Sequence, residues 1–173
     1  MKDTYSVNFY GGPGTGKSRI AASVFAKLKF DNLNCELVRE YAKEKTWEKN
    51  HMALNYQMYI SSKQMYKMWV VANSVDVIVT DSPLLLGACY SSDDLLDKLL
   101  LREYRNYHNI NIFLNRVNPY NPSGRNQTEE EAELLDLRIE MFLHDYKIPF
   151  DRINASLDQT DNIIKLIKSK IKK

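Results

Sequence analysis

The sequence is poor in the residues that build disulfide frameworks and metal centres. Its 173 residues include two cysteines, Cys35 and Cys89, and three histidines. The cysteines form no CxxC pair and no cluster with histidine, and the histidines lack metal-ligand spacing, so a disulfide scaffold and a zinc site are excluded. We expect both cysteines to be reduced and buried, as in a cytosolic protein.

Long apolar runs and a strong charge of one sign are also missing. No segment is long and apolar enough to cross a bilayer, and Lys2 is followed by polar residues unlike a signal peptide, so we expect a cytoplasmic protein without a membrane partner. The net charge of +2 is too small to indicate nucleic-acid binding, and the basic KLIKSKIKK end predicts a solvated last helical turn. With 44% hydrophobic and 27% charged residues, the composition predicts one globular domain over residues 1–173.

Glycine is scarce, with six residues in all, but four of them lie between positions 11 and 16. The stretch GGPGTGKS matches G-x-x-x-x-G-K-[ST], and it follows a predicted strand and begins a predicted helix, which is the context that this phosphate-binding motif requires. Glycines let consecutive N–H groups turn inward on a triphosphate. We therefore predict ATP and Mg²⁺ as cofactors, with Lys17 at the β- and γ-phosphates and the Ser18 hydroxyl on Mg²⁺. The predicted nucleotide-binding residues are Gly11, Gly12, Pro13, Gly14, Thr15, Gly16, Lys17, Ser18 and Arg19.

Strand and helix patterns alternate along the chain. Strands are predicted at 5–10, 35–40, 75–81, 109–115 and 149–154. A long helix is predicted at about 50–73, with a packing face formed by Met52, Leu54, Met58, Tyr59, Met65, Tyr66 and Trp69. Capping boxes predict helix starts at Ser91–Asp94 and Thr128–Glu131. The alternation predicts an α/β, single-domain P-loop fold with a five-stranded, mainly parallel sheet and helices on both faces.

Three charged residues follow predicted strands. Ligands bind beyond the carboxyl ends of such strands, so Glu40, Asp81 and Arg116 are predicted to meet the phosphate loop at one edge. Asp81 is a candidate for holding a Mg²⁺-bound water or accepting a proton, and Glu40 is a candidate general base. The plainer alternatives are an Asp that caps the next turn and an exposed loop Glu.

Residues 116–127 form a loop with two prolines and a glycine, bracketed by Arg116 and Arg125. Guanidinium groups on a closing lid neutralise the charge that develops during phosphoryl transfer and keep water out, so we predict a lid with both arginines catalytic. The alternative is a surface loop with solvated arginines. In the long helix region, Trp47, Tyr56 and Gln57 are candidates for an acceptor pocket, although a core role is the more common use of such residues.

Taken together, GGPGTGKS, ELVREYAKE, VIVTDSPLLL, NIFLNRVNPYNPSGR and TEEEAELLD resemble the small phage-encoded P-loop proteins labelled AAA-type ATPase or kinase. The order of parts is also similar to the ribosylnicotinamide kinase domain of bifunctional NAD-biosynthesis regulators and, more loosely, to thymidylate kinase. The resemblance implies a nucleoside and nucleotide kinase-like core, with the Asp81 strand beside the strand that leads into the phosphate loop. It also implies the roles given above for Lys17, Ser18, Asp81 and the two arginines, and matches Glu40 by position to the acidic residue of small-molecule kinases. Thymidylate kinases have an Asp-Arg pair where this chain has Asp81-Ser82.

These features predict an ATP- and Mg²⁺-dependent kinase with a nucleoside- or nucleotide-like acceptor, in the host cytoplasm if the protein is phage-encoded. A ribosylnicotinamide kinase and a kinase of hydroxymethyluracil in phage DNA are variants, and the small net charge does not indicate the DNA acceptor. The alternative from another class is an ATPase or switch that acts on a protein or nucleic-acid client. The sequence favours no particular oligomeric state.

Overall fold

The computed structural model describes residues 3–117, 119–121 and 127–171. Runs of β-branched and aromatic residues form five strands: β1 (Tyr5–Tyr10), β2 (Cys35–Val38), β3 (Val77–Thr80), β4 (His108–Asn115) and β5 (Asp151–Asn154). All strand pairs are parallel, and their order across the sheet is β2-β3-β1-β4-β5. The predicted α/β class is therefore confirmed, and β3 lies directly beside β1, as the family resemblance implied.

Helices cover both faces of the sheet. They are α1 (Lys17–Phe30), α2 (Tyr41–Trp47), α3 (His51–Asn55), α4 (Gln57–Ala72), α5 (Leu86–Cys89), α6 (Asp94–Tyr104), α7 (Glu129–Asp145) and α8 (Thr160–Ile171), with a 3₁₀ turn at Leu157–Gln159. Of these, α1 and α8 pack on one face around residues such as Val7, Phe9 and Ile163, while α4 to α7 pack on the other face around Tyr10, Leu85 and Ile139. Both cysteines are buried and free, as predicted. None of the helices in the described ranges has the length and apolar character needed to cross a bilayer.

The predicted long helix at 50–73 was wrong in its extent and only partly right in its packing face, in which Met58 and Met65 do pack against the core. This range contains two helices, α3 and α4, because Tyr56 between them has a non-helical ψ of 82°. Met52 is 83% exposed, and Tyr66 and Trp69 are also exposed. The buried positions of α4 are Ile60, Ser61, Gln64, Met68 and Ala72. Two polar residues are therefore part of the face that α4 turns inward.

The two predicted capping boxes had different outcomes. The box at Thr128 is confirmed, because Thr128 Oγ1 accepts the Glu131 N–H while the Glu131 carboxylate accepts the Thr128 N–H. The box at Ser91 was wrong, because α6 begins after Asp93, whose carboxylate accepts the N–H groups of Leu95 and Leu96. Ser91 Oγ instead accepts the Asp93 N–H in the preceding turn. A carboxylate one residue before the helix reaches two unpaired N–H groups that the serine does not.

Candidate active site

The phosphate loop, residues 11–16, connects the carboxyl end of β1 to the first turn of α1. Gly14 has φ 80° and Gly16 has φ 108°, a region of backbone conformation that side chains disfavour. A Cβ on Gly14 would also lie 2.8 Å from the ring of Tyr120 and 3.1 Å from Arg116 Nη1. The loop therefore places its bare backbone between the start of α1 and the segment that follows β4.

Lys17 lies above the phosphate loop. Its Nζ donates to the carbonyls of Gly11 at 2.6 Å and Gly12 at 2.9 Å. Burial lowers the pKa of Lys17, while Glu40 and Asp81 raise it again through their charges. The ammonium is thus held at the mouth of the loop with two carboxylates near it.

Glu40 and Asp81 meet at the same edge, because β2 and β3 are neighbours and both end there. Asp81 is 3% exposed, and its Oδ1 accepts the backbone N–H of Glu40 at 3.0 Å. Burial raises the pKa of the Glu40 carboxyl, and the charges of Lys17 and Lys43 partly oppose that rise. The structure therefore brings both predicted carboxylates to the phosphate loop, with Glu40 at the cleft surface and Asp81 behind it.

A cleft of about 1150 Å³ runs from the phosphate loop to α4. Lys17, Ser18 and Glu40 line one part of it, and the turn from Ser82 to Ser92 lines another. Pro119, Asn121 and Gln127, which belong to the predicted lid, also line the cleft. Small-molecule sites commonly enclose about 300–1,000 Å³, so this volume suits more than one small ligand.

The far wall of the cleft is a polar stripe on α4, formed by Gln57, Ser61 and Gln64. These residues are spaced i, i+4, i+7 and all line the cleft. Gln57 Oε1, Ser61 Oγ and Gln64 Nε2 are buried atoms that bond to no other group in the described part of the chain. Gln64 Oε1 accepts the N–H of Tyr41 at 3.0 Å, which fixes the amide so that Nε2 remains for a ligand. Buried polar groups normally have partners, so the stripe has the character of a ligand surface.

Sequence reasoning identified Gln57 as a candidate but missed Ser61 and Gln64. The usable signal was polar residues at helical spacing within an apolar helix. Trp47 and Tyr56, the other two candidates, are both 64% exposed and are absent from the cleft lining.

Arg116, at the end of β4, reaches the phosphate loop. Its Nη1 donates to the carbonyl of Pro13 at 3.0 Å, and its Nη2 lies 2.8 Å from Asp136 Oδ2 on α7. Arg125, the other predicted lid arginine, lies outside the described residues. Arg19 also lines the cleft, and its Nη2 donates to the carbonyl of Ala155 after β5 at 2.7 Å.

A family model described as "AAA domain" matches residues 6–159. The chain belongs to this AAA domain family. The matched range includes the phosphate loop, both carboxylates, Arg116 and the polar stripe on α4. No curated protein matches the chain by sequence.

The AAA domain of this chain shares its fold with a solved kinase. Deoxyadenosine kinase from M. mycoides with bound dATP superposes with a TM-score of 0.58 at 20% identity, covering 97% of this chain and 100% of that one. The same enzyme with the products dCMP and dCDP gives a TM-score of 0.58 at 19% identity, covering 96% and 98%. The predicted fold class is thus found in a protein that holds nucleotides.

The residues predicted to bind Mg²⁺ have the right donor chemistry. No group of three or more His, Cys, Asp or Glu side chains that could enclose a metal occurs in residues 3–117, 119–121 and 127–171. Magnesium at nucleotide sites typically takes one or two protein oxygens and completes its shell with phosphates and water, so such an enclosure is not required. In this AAA domain, the Ser18 hydroxyl at the cleft and the Asp81 carboxylate at the adjacent strand end supply oxygen donors of that kind.

Proposed function

We propose that this protein is a kinase that transfers the γ-phosphoryl group of ATP to a hydroxyl group of a nucleoside-like acceptor. The observation that supports this most is the form of the cleft. The phosphate loop lies at one end, the Glu40 carboxylate lies beside it, and the polar stripe on α4 forms the opposite wall. An enzyme that only hydrolyses ATP needs room for water next to the γ-phosphate, and it does not need a hydrogen-bonding wall at the far end of the cleft.

In the proposed reaction, the backbone N–H groups of residues 14–18 and the Lys17 ammonium hold the phosphates. Ser18 and Asp81 would hold Mg²⁺, which neutralises phosphate charge when it is bound. Glu40 accepts the proton of the acceptor hydroxyl as its oxygen bonds to the γ-phosphorus. The bond from that phosphorus to the β–γ bridging oxygen breaks, and ADP leaves. Arg116 and Arg125 stabilise the charge on the transferring group.

Glu40 suits the base role better than Asp81. It lines the cleft, and burial raises its pKa toward the range in which a carboxylate takes up a proton more readily. Asp81 does not line the cleft, and one of its oxygens already accepts the Glu40 N–H. We therefore assign proton transfer to Glu40. To Asp81, which lies behind the cleft surface, we assign the holding of a Mg²⁺-bound water.

The acceptor end of the cleft favours a ring with amide-like or amino groups. Gln57 offers an acceptor oxygen, Gln64 a donor N–H and Ser61 a hydroxyl, which together suit the edge of a nucleobase or a carboxamide-bearing ring. The deoxyadenosine kinase that shares the fold supports a nucleoside acceptor. Ribosylnicotinamide carries a carboxamide and is the second candidate on the same observation.

A transfer screen tests the proposal. The protein, Mg²⁺ and ATP labelled in the γ-phosphate are incubated with nucleosides, nucleoside monophosphates, ribosylnicotinamide or DNA containing hydroxymethyluracil, and the products are separated by chromatography. We expect label on a nucleoside or on ribosylnicotinamide, and none with the Lys17→Ala variant. Label found only as free phosphate, with every acceptor, would refute the kinase and favour an ATPase with a macromolecular client.

A further inference from the structure

Asp136 lies on α7 and reaches the phosphate loop, although it belongs to no recognised motif. Its Oδ1 accepts the backbone N–H of Gly12 and lies 3.4 Å from Thr15 Oγ1. Helix α7 is so close to the loop that a Cβ on Gly12 would lie 2.5 Å from the carbonyl oxygen of Ala132. Gly12 is thus required for the approach of α7, and Asp136 bonds across that contact.

The other oxygen of Asp136 holds Arg116. Asp136 Oδ2 accepts from Arg116 Nη2 at 2.8 Å and from Nε at 3.2 Å, and the two side chains are only 13% and 19% exposed. The guanidinium also donates to the Pro13 carbonyl at 3.0 Å. One carboxylate therefore binds both the loop backbone and the arginine that lies over the loop.

We propose that Asp136 is a positioning residue that acts through Arg116. It holds the guanidinium against the phosphate loop, so that the arginine's charge is directed at bound triphosphate. The inference rests on the proposed function only in requiring that the loop bind ATP.

The inference predicts a change in ATP affinity that is opposite in direction to the change that simple electrostatics predicts. A carboxylate near a triphosphate repels it, so neutralising a bystander aspartate should tighten ATP binding. If Asp136 instead holds Arg116 in place, Asp136→Asn should weaken ATP binding, because the arginine loses its charged partner. Without Arg116 there is no guanidinium to position. Since the side-chain oxygen of asparagine can still accept the Gly12 N–H, the remaining effect of Asp136→Asn is relief of the repulsion.

The experiment is a double-mutant cycle read out as the Kd for Mg²⁺ with a non-hydrolysable ATP analogue, measured by calorimetry. We expect Asp136→Asn to raise the Kd by roughly two- to thirtyfold, the range for a residue that acts on a binding site without touching the ligand. In the Arg116→Ala background the same change should leave the Kd unchanged or lower it. Glu140→Gln is the matched control, since Glu140 lies one turn further along α7 and pairs with Arg152. It should leave the Kd unaltered.

Arg116→Lys provides a second variant that does not depend on the folding of Asp136→Asn. It keeps the charge but loses the paired contacts of Nε and Nη2 with Asp136. Its Kd for the ATP analogue should therefore be raised about as much as that of Asp136→Asn. The inference is overturned if Asp136→Asn tightens binding, if it weakens binding equally in both backgrounds, or if Arg116→Lys binds like the wild type. A wild-type protein that binds ATP but phosphorylates no acceptor would refute the proposed function and leave this comparison valid.

Discussion

Replacing Glu40 with glutamine removes the proposed base and keeps the size of the side chain. The backbone N–H of Glu40, which donates to Asp81 Oδ1, is unaffected by the change. General-base catalysis contributes about 10²- to 10⁴-fold, and each factor of ten is about 1.36 kcal/mol, so the barrier should rise by about 2.7–5.4 kcal/mol. We expect this loss in kcat. The affinity for ATP should be equal or slightly higher, because a negative charge near Lys17 is removed.

The pH dependence of the wild-type enzyme provides a second readout of the same group. Glu40 must be deprotonated to act as a base, so kcat should fall as the pH falls through its pKa, which burial raises above 4.5. The charge of Lys43 lowers the pKa of Glu40. Lys43→Gln should therefore move the acid limb of the kcat profile, the part in which kcat falls with falling pH, to higher pH. Glu40→Gln should lack this limb.

Thermal unfolding separates catalysis from folding. A buried carboxyl whose pKa is raised binds its proton more tightly in the folded state, so stability is lost as the pH rises from the unfolded pKa through the folded one. At neutral pH the ionised Glu40 therefore costs stability, and Glu40→Gln should unfold at the same temperature or higher. Glu44→Gln is the control and should keep full activity, because Glu44 lies on α2 just after Glu40 but pairs with Lys67 and is absent from the cleft lining. A Glu40→Gln enzyme with more than about one tenth of the wild-type kcat would refute the assignment of the base.

The other predictions follow from the loop, the lid and the cleft wall. Lys17→Ala should lower turnover by more than about 10³-fold in a transfer assay, and measurable activity near the wild-type rate would contradict its phosphate role. Arg125→Ala should cut kcat by about 10²- to 10⁴-fold with ATP affinity largely intact, while full activity would remove the argument for a catalytic lid. Ser61→Ala should raise KM for the acceptor by roughly two- to tenfold without changing the Kd for ATP, since Ser61 Oγ bonds to no other group in the described part of the chain and its loss is confined to the acceptor wall; equal effects on both ligands would count against that wall. Gly12→Ala forces a Cβ to within 2.5 Å of the Ala132 carbonyl, so Tm should fall by roughly 2–12 °C, and an unchanged Tm would mean that α7 does not pack on the loop.

The sheet and the loop could be predicted because their signals are local. The buried strand 77–80 is a continuous β-branched run, and the glycines at 11–16 have a backbone requirement that few other structures share. Once the strands were known to be parallel, the meeting of Glu40 and Asp81 at one edge followed from topology alone. The one bond that joins them, from the Glu40 N–H to Asp81, is a consequence of β2 and β3 being neighbours.

The face of α4 and the contact of Asp136 could not be predicted in the same way. Apolar residues at helical spacing suggested that Met52, Tyr66 and Trp69 were buried, but these residues are exposed and the buried face includes Ser61 and Gln64. The ordinary rule is that the buried face of a helix is apolar. The wall of a ligand cleft departs from this rule, because it is both buried and polar. Asp136 is 120 or more positions from the loop residues that it contacts, and only the packing of α7 brings them together.

The most direct test of the central claim is the ratio of phosphorylated acceptor to ADP formed, measured for the wild-type protein with Mg²⁺, ATP and a saturating acceptor from the transfer screen. A kinase whose cleft binds the acceptor opposite the phosphate loop should form one phosphorylated product for each ADP, with little free phosphate. ADP and free phosphate in equal amounts, at a rate that no acceptor changes, would contradict the assignment of the cleft to an acceptor.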